Sequence, residues 1–211
     1  YQAHVKTTLD FSDSTSDIFI IAASDDSIQD IVQEIILPDD SILVHTSGSQ
    51  SLDILGFAAT LNAGVFYPLQ TFSKAKKVDF KEIPIFIESE SDEVCQVLMK
   101  IAKTISKKVK QISSEDRKAL HLAAVFASNF SNHMLTISKM VAEKHGLDFE
   151  LLKPLIAETL NKSISIGPED AQTGPAKRGD MEILDNHLEF MKDDPSIAEI
   201  YKIISQHIID Q

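Results

Sequence analysis

The stretch DIFIIAASDDSIQDIVQEI, Asp17 to Ile35, decides the fold. Its first part, DIFIIAA, is a continuous apolar run of strand length. Its second, SDDSIQDIVQEI, places Ile28, Ile31, Val32 and Ile35 at helical spacing. A fully apolar strand passing directly into an amphipathic helix is the unit of a parallel sheet covered on its faces. The pattern repeats downstream. SILVHT (Ser41–Thr46) is a second strand run, followed by a helical SLDILGFAATL (Ser51–Leu61). AGVFYPL (Ala63–Leu69) and IPIFIES (Ile83–Ser89) are two more strands, DEVCQVLMKIAKTI (Asp92–Ile105) a helix, and KVKQIS (Lys108–Ser113) a last short strand. The expectation is an α/β domain with a Rossmann-like parallel sheet over residues 1–113.

From Ser114 the pattern becomes purely helical, so residues 114–211 form an all-α domain. Helices are expected from Ser114 to Gly146, and over about Phe149–Ser163, Asp180–Lys192 and Ser196–Ile209. The first is unusual: between Lys118 and Lys139 it carries no Asp, Glu, Lys or Arg. Such a helix should be buried nearly all round. Yet His121, Ser128, Asn129 and Asn132 share one side of its wheel, with His133 at the margin. Buried amides need partners, and these are expected either from other helices and a dimer interface or from a ligand in a cleft between the domains.

Composition narrows the function. The 211 residues hold 20 Lys plus Arg against 32 Asp plus Glu, a net charge of −12. The basic clusters, Lys74–Lys77 and Lys100–Lys110, have no interleaved aromatics, so nucleic acid is not an expected partner. The single cysteine, Cys95, excludes an intrachain disulfide and a cysteine-based zinc cluster, and its apolar neighbours make it a core residue. No signal peptide and no membrane span is present, which points to the cytoplasm. No histidine pair has metal-binding spacing, so no metal is expected. A hydrolase using Ser47 or Ser49 lacks a nucleophile-elbow motif, and His45 beside them has no identifiable acid partner.

Sheets of this kind bind ligands at the carboxyl ends of their strands. Three such ends carry small polar loops: Ser24-Asp25-Asp26, Thr46-Ser47-Gly48-Ser49 and Pro68-Leu69-Gln70-Thr71. Ser24 and Asp25 could equally be helix caps. No glycine spacing fits the G-x-G-x-x-G turn that holds a dinucleotide pyrophosphate. The chain also starts at Tyr1 without methionine. The expectation is that a first strand, a glycine-rich turn and a second strand precede Tyr1. Near the other end, GPEDAQTGPAKRGD (Gly167–Asp180) places three glycines around Arg178. Gly174 is expected to permit close backbone approach, Asp180 to cap the next helix, and Arg178 to hold an anion or to pair with Asp180 or Glu182.

HTSGSQSLDIL, FYPLQTFS, LHLAAVFASNFSNHML and GPEDAQTGPAKRGD, in that order, resemble a group of bacterial proteins assigned as NADP-dependent oxidoreductases. These join a Rossmann-like domain to a helical domain of unknown function. They are similar in layout to pyrroline-5-carboxylate reductase, to deazaflavin-dependent NADP reductase and to 6-phosphogluconate dehydrogenase with its helical C-terminal domain. The resemblance runs from about Thr8 onward, and the family pattern has histidine where this chain has Tyr67. It implies an oxidoreductase moving a hydride between NADP (or NAD) and a small anionic carbonyl or imine substrate bound between the domains. Ala23, Ser24, Asp25, Thr46, Ser47, Gly48 and Gln70 would line the cofactor. His133 and Asn129 would be catalytic, and Arg178, Asn132, Thr173 and Gly174 would bind substrate. The alternative is a non-catalytic dimeric module sensing a nucleotide or metabolite. In either case the apolar helical half, with Leu151, Leu155, Ile203 and Ile204 among its exposed candidates, predicts a homodimer.

Overall fold

The computed structural model describes residues 5–57, 62–73 and 76–211. The start of the chain at Tyr1, the last four residues of the expected Ser51–Leu61 helix and part of the Lys74–Lys77 cluster lie outside them. Five strands form one sheet in sequential order: β1 (Ile18–Ile21), β2 (Ile42–His45), β3 (Asn62–Pro68), β4 (Ile85–Glu88) and β5 (Val109–Gln111). β1, β2 and β3 are parallel, with Ile21, His45 and Val65 in one row. Glu88 completes that row on β4.

The sheet departs from the expected all-parallel arrangement at one place. β4 runs antiparallel to β3, while β5 is parallel to β4. The cause lies in the connection: among its described residues, the segment from Leu69 to Pro84 forms only the short 3-10 turn Phe80–Glu82. Parallel neighbours need a crossover, usually a helix, whereas an antiparallel return needs none.

Alternation along the strands builds two cores, one on each face. Leu43, Val65 and Tyr67 pack with Ile28 and Val32 of α1 (Asp25–Glu34). Val44, Phe66, Ile85 and Ile87 pack with Val94, Cys95, Leu98 and Ala102 of α2 (Asp92–Ile105). Cys95 is thus the core residue its neighbours implied. Ser91 starts α2 by accepting a hydrogen bond from the Val94 amide at 3.3 Å. The Ser51–Leu61 helix is only a 3-10 segment, Leu52–Phe57, within its described part.

Beyond the sheet the chain is helical. Ser113 caps α3 (Ser114–Ala124) by accepting from the Asp116 amide at 3.1 Å. The helix then passes through a π-helical stretch, Val125–Phe130, into α4 (Ser131–Lys144). α5 (Lys153–Ile166), α8 (Met181–Phe190) and α9 (Pro195–Ile209) follow, with two single turns, α6 (Pro168–Ala171) and α7 (Pro175–Arg178), between α5 and α8. The chain divides into two compact units, up to Ser131 and from Asn132 to Gln211, so α3 belongs with the sheet although the all-helical pattern begins at Ser114.

Two expectations fail here. The charge-free helix is not buried all round in the single chain: Leu122 is 58% and Phe126 60% exposed. Absence of charge marks a surface as apolar without saying what covers it. Two single turns, α6 and α7, occupy the glycine-rich segment. Gly174 has φ +110°, and a side chain there would meet nothing within 4 Å. A positive φ of this kind favours glycine. Asp180 makes no side-chain cap; its carboxylate is held by Arg178 instead.

Candidate active site

The carboxyl ends of β1, β2 and β3 bring three loops to one edge. After β1, Ala23 and Ser24 are exposed, and Ser24 spends its hydroxyl on Ser27 at 2.7 Å instead of capping α1. Asp25, in the first turn of α1, accepts from the Ser49 hydroxyl at 2.5 Å. This joins the loops after β1 and β2. Thr46 is anchored to the Ile21 carbonyl through its amide at 3.2 Å. The buried Ser47 hydroxyl accepts from the amides of Ser49 and Gln50 at 3.1 and 3.0 Å, tightening the loop on itself. Gly48 is required by close approach: a β-carbon there would lie 2.5 Å from Nδ1 of His121 and 2.8 Å from Cζ of Tyr67.

Arg117, which the sequence reading did not single out, supports this loop from behind. Its side chain is fully buried. Nε donates to Glu88 at 2.9 Å, and Nη1 donates to the carbonyls of both Ser47 and Gly48 at 3.0 Å. Ser114 donates to the other Glu88 oxygen. Nη2 of Arg117 has no partner among the described residues. A signal was available: Arg117, His121, Ala124 and Ser128 lie at i, i+4, i+7 and i+11, so the polar face of the helix extends one turn further upstream, to Arg117.

His45, at the end of β2, is fully buried and accepts from the Ser47 amide through Nδ1 at 3.1 Å. Burial, and then the Arg117 charge, push its pKa down to about 4, against smaller opposing effects of the Ser51 backbone, Glu88 and Asp25. The imidazole is neutral, with its proton on Nε2, and holds the loop in place.

Beside this loop a cavity of about 370 Å³ is lined by Tyr67, Gln70, Thr71, His121, Ser128 and Asn129 among others. That size suits a small metabolite. Tyr67 Oη and His121 Nδ1 are 3.2 Å apart, with the rings edge to face at 6.1 Å. Burial raises the Tyr67 pKa, and Asp25 adds to this against the opposing charge of Arg117. Ser128 and Asn129 reach the cavity from the π-helical stretch, where the Ser131 hydroxyl bonds back to the Phe126 carbonyl at 3.1 Å. Short π segments frequently mark functional sites, because one extra residue is accommodated and the faces beyond it are turned.

Of the residues expected to act, Asn129 and Gln70 line this cavity, and Asp25, Thr46, Ser47 and Gly48 form the adjacent loops. Asn132 and His133 are exposed on α4, in the second unit. In that unit Thr173 and Gly174 line a separate, mostly apolar cavity of about 850 Å³ with residues of α4, α8 and α9. Arg178 is exposed and paired with Asp180, Nε and Nη2 lying 2.8 and 2.7 Å from one carboxylate oxygen. Among the described residues no cluster of three His, Cys, Asp or Glu could hold a metal ion. None of their helices is long and apolar enough to cross a membrane.

A mostly parallel, Rossmann-like sheet with polar loops at its carboxyl edge, followed by a helical portion, is the architecture of nicotinamide-dependent oxidoreductases. Residues 83–208 match the family described as Domain of unknown function (DUF2520), and the chain belongs to that family. No curated protein sequence matches it. The fold is shared with a "putative NADP oxidoreductase" of Bacteroides fragilis at 39% identity, TM-score 0.90, over 98% of this chain and 80% of that one. A Thermotoga maritima protein is 28% identical, TM-score 0.71, over 92% and 76% of the two chains. An imine reductase from Myxococcus stipitatus in complex with NADP+ shares the fold alone, at 13% identity and TM-score 0.57, over 98% and 77%.

Proposed function

We propose that the protein is an NAD(P)-dependent oxidoreductase, reducing a small anionic carbonyl or imine compound or oxidising its product. The observation that carries this reading is the convergence of Asp25, Thr46–Ser49, Gln70 and the Tyr67–His121 cavity on the carboxyl edge of three parallel strands, the place where such sheets take nicotinamide cofactors. The relatives named as NADP oxidoreductases support the cofactor class.

The residues fit the nicotinamide and its ribose: hydroxyls of Thr46 and Ser49, the Asp25 carboxylate and the Gln70 amide supply short-range donors and acceptors. They do not account for the diphosphate, because the seven glycines of this chain form no G-x-G-x-x-G turn. When bound, the cofactor supplies the hydride. The chain's own residues orient the ring, exclude water and provide charge and protons at the substrate. Asn129, which lines the cavity, would hold the substrate heteroatom. The roles read for His133, Asn132, Thr173, Gly174 and Arg178 belong to the same proposal, and for Arg178 a substrate anion would have to replace the Asp180 carboxylate. The same reading places the protein in the bacterial cytoplasm as a homodimer.

Fluorescence titration of NADPH and NADH into the full-length gene product tests it. Micromolar affinity for one of them is expected, weakened about tenfold in Asp25→Leu, which removes the Ser49 partner. Absence of binding by both would overturn the reading. Binding without turnover of any carbonyl or imine would favour the non-catalytic module.

A further inference from the structure

Tyr67 poses a packing question. Its ring belongs to the core beneath the sheet and is only 7% exposed, a place where phenylalanine would serve equally. A buried phenol costs free energy unless its oxygen is partnered. That oxygen meets His121 Nδ1 at the wall of the cavity. Three elements are shaped to let the two rings meet: β3 carries Tyr67, α3 carries His121, and the loop after β2 keeps a glycine where any side chain would strike both. His121 is only partly buried, and its Nδ1 faces the phenol.

Resting on the oxidoreductase reading, we propose that Tyr67 and His121 are a proton-donating pair, Tyr67 giving its hydroxyl proton to the substrate oxygen or nitrogen and His121 restoring it. As the substrate carbon gains hydride from reduced nicotinamide, the π pair of its C=O or C=N bond moves onto the heteroatom. The Tyr67 O–H bond breaks, a heteroatom–H bond forms, and the electron pair stays on the phenolate. His121, with its proton on Nδ1, passes that proton to the phenolate, takes one from solvent on Nε2, and regains its starting tautomer by exchanging ring protons with solvent. The nicotinamide is oxidised, the substrate is reduced by two electrons, and one proton is drawn from solvent. Asn129, reaching the same cavity from the π-helical stretch, holds the heteroatom.

The first readout does not depend on turnover. The chain has three tyrosines, so near-ultraviolet tyrosinate absorbance, compared with Tyr67→Phe, isolates the ionisation of Tyr67. Its midpoint should lie above the ordinary tyrosine value of about 10 and should move in His121→Asn. A midpoint at the ordinary value, unmoved by His121→Asn, overturns the pair whatever the kinetics. The second readout is single-turnover NADPH oxidation with glyoxylate, pyruvate and 1-pyrroline-5-carboxylate. Tyr67→Phe should slow it by about 100-fold, the size of a lost general acid, with NADPH affinity held within about threefold. His121→Asn should slow it less and steepen its alkaline fall. NADPH binding with undiminished turnover in Tyr67→Phe overturns the pair and leaves the oxidoreductase reading standing. Failure to bind NADPH at all removes that reading and the pair's role with it. If none of the three compounds is turned over, the tyrosinate midpoint decides alone.

Discussion

His45 shows how one buried side chain ties the site loop to pH. Its folded-state pKa, lowered to about 4, lies below the ordinary value of 6.5. Between those limits the unfolded chain binds a proton that the folded chain refuses. Stability therefore rises with pH through this window and falls as pH drops through it, by about 3 kcal/mol in all. Urea midpoints measured from pH 7 down to pH 4 should show this loss, and His45→Gln should flatten it. Gly48 makes a second prediction. Ala at this position would press on rings at 2.5 and 2.8 Å, so Gly48→Ala should cost about 1–3 kcal/mol and weaken NADPH binding, read by thermal unfolding and fluorescence. At this scale the sequence was partly legible. The Thr46–Ser49 and Ser24–Asp26 loops stood out because small polar residues follow apolar strand runs. Arg117 did not, because a charged residue among Glu115, Asp116 and Lys118 looks solvated; its burial comes from Glu88 and two carbonyls remote in sequence. Tyr67 was read only as a departure from a family histidine, and its hydroxyl gains meaning from a partner 54 residues away.

Elements join these residues, and two can be tested as wholes. Arg117 on α3, Glu88 on β4 and the loop after β2 form one buried connection. Removing one partner of such a pair leaves an uncompensated charge, so Arg117→Met should cost about 3–5 kcal/mol. Adding Glu88→Gln should recover part of this, a coupling that thermal unfolding of the two single variants and the double variant will read. The π-helical stretch is the second. Deleting Ala127 should restore a regular helix at little cost in thermal stability. Closing the π-helical stretch would shift Ser128 and Asn129 relative to His121, so turnover should fall while the fold persists. The wheel drawn from the sequence assumed 3.6 residues per turn throughout, so it grouped Asn129 with Asn132 and His133 across a discontinuity it could not register. The strands were legible because apolar runs bounded by polar turns are unambiguous. The direction of β4 was read as parallel, although the connection before it lacks helical periodicity.

The whole molecule carries more apolar surface than one chain hides. Leu155 is 63% and Ile203 62% exposed in the helical unit, and Ile164 reaches 84%. Exposed apolar residues singly need no explanation, but on this scale they call for a covering surface. The chain also carries 12 net negative charges, which repel a like-charged chain and screen with salt. Association should therefore be driven by these apolar faces and strengthen as ionic strength rises, the reverse of a contact made by opposite charges. Light scattering at micromolar concentration should give a dimer mass, with the double variant Leu155→Glu, Ile203→Glu shifted towards monomer, most strongly at low salt. A wild-type monomer at both low and high salt would instead mean that these faces are left to solvent. The half-exposed charge-free helix would then need a partner of another kind.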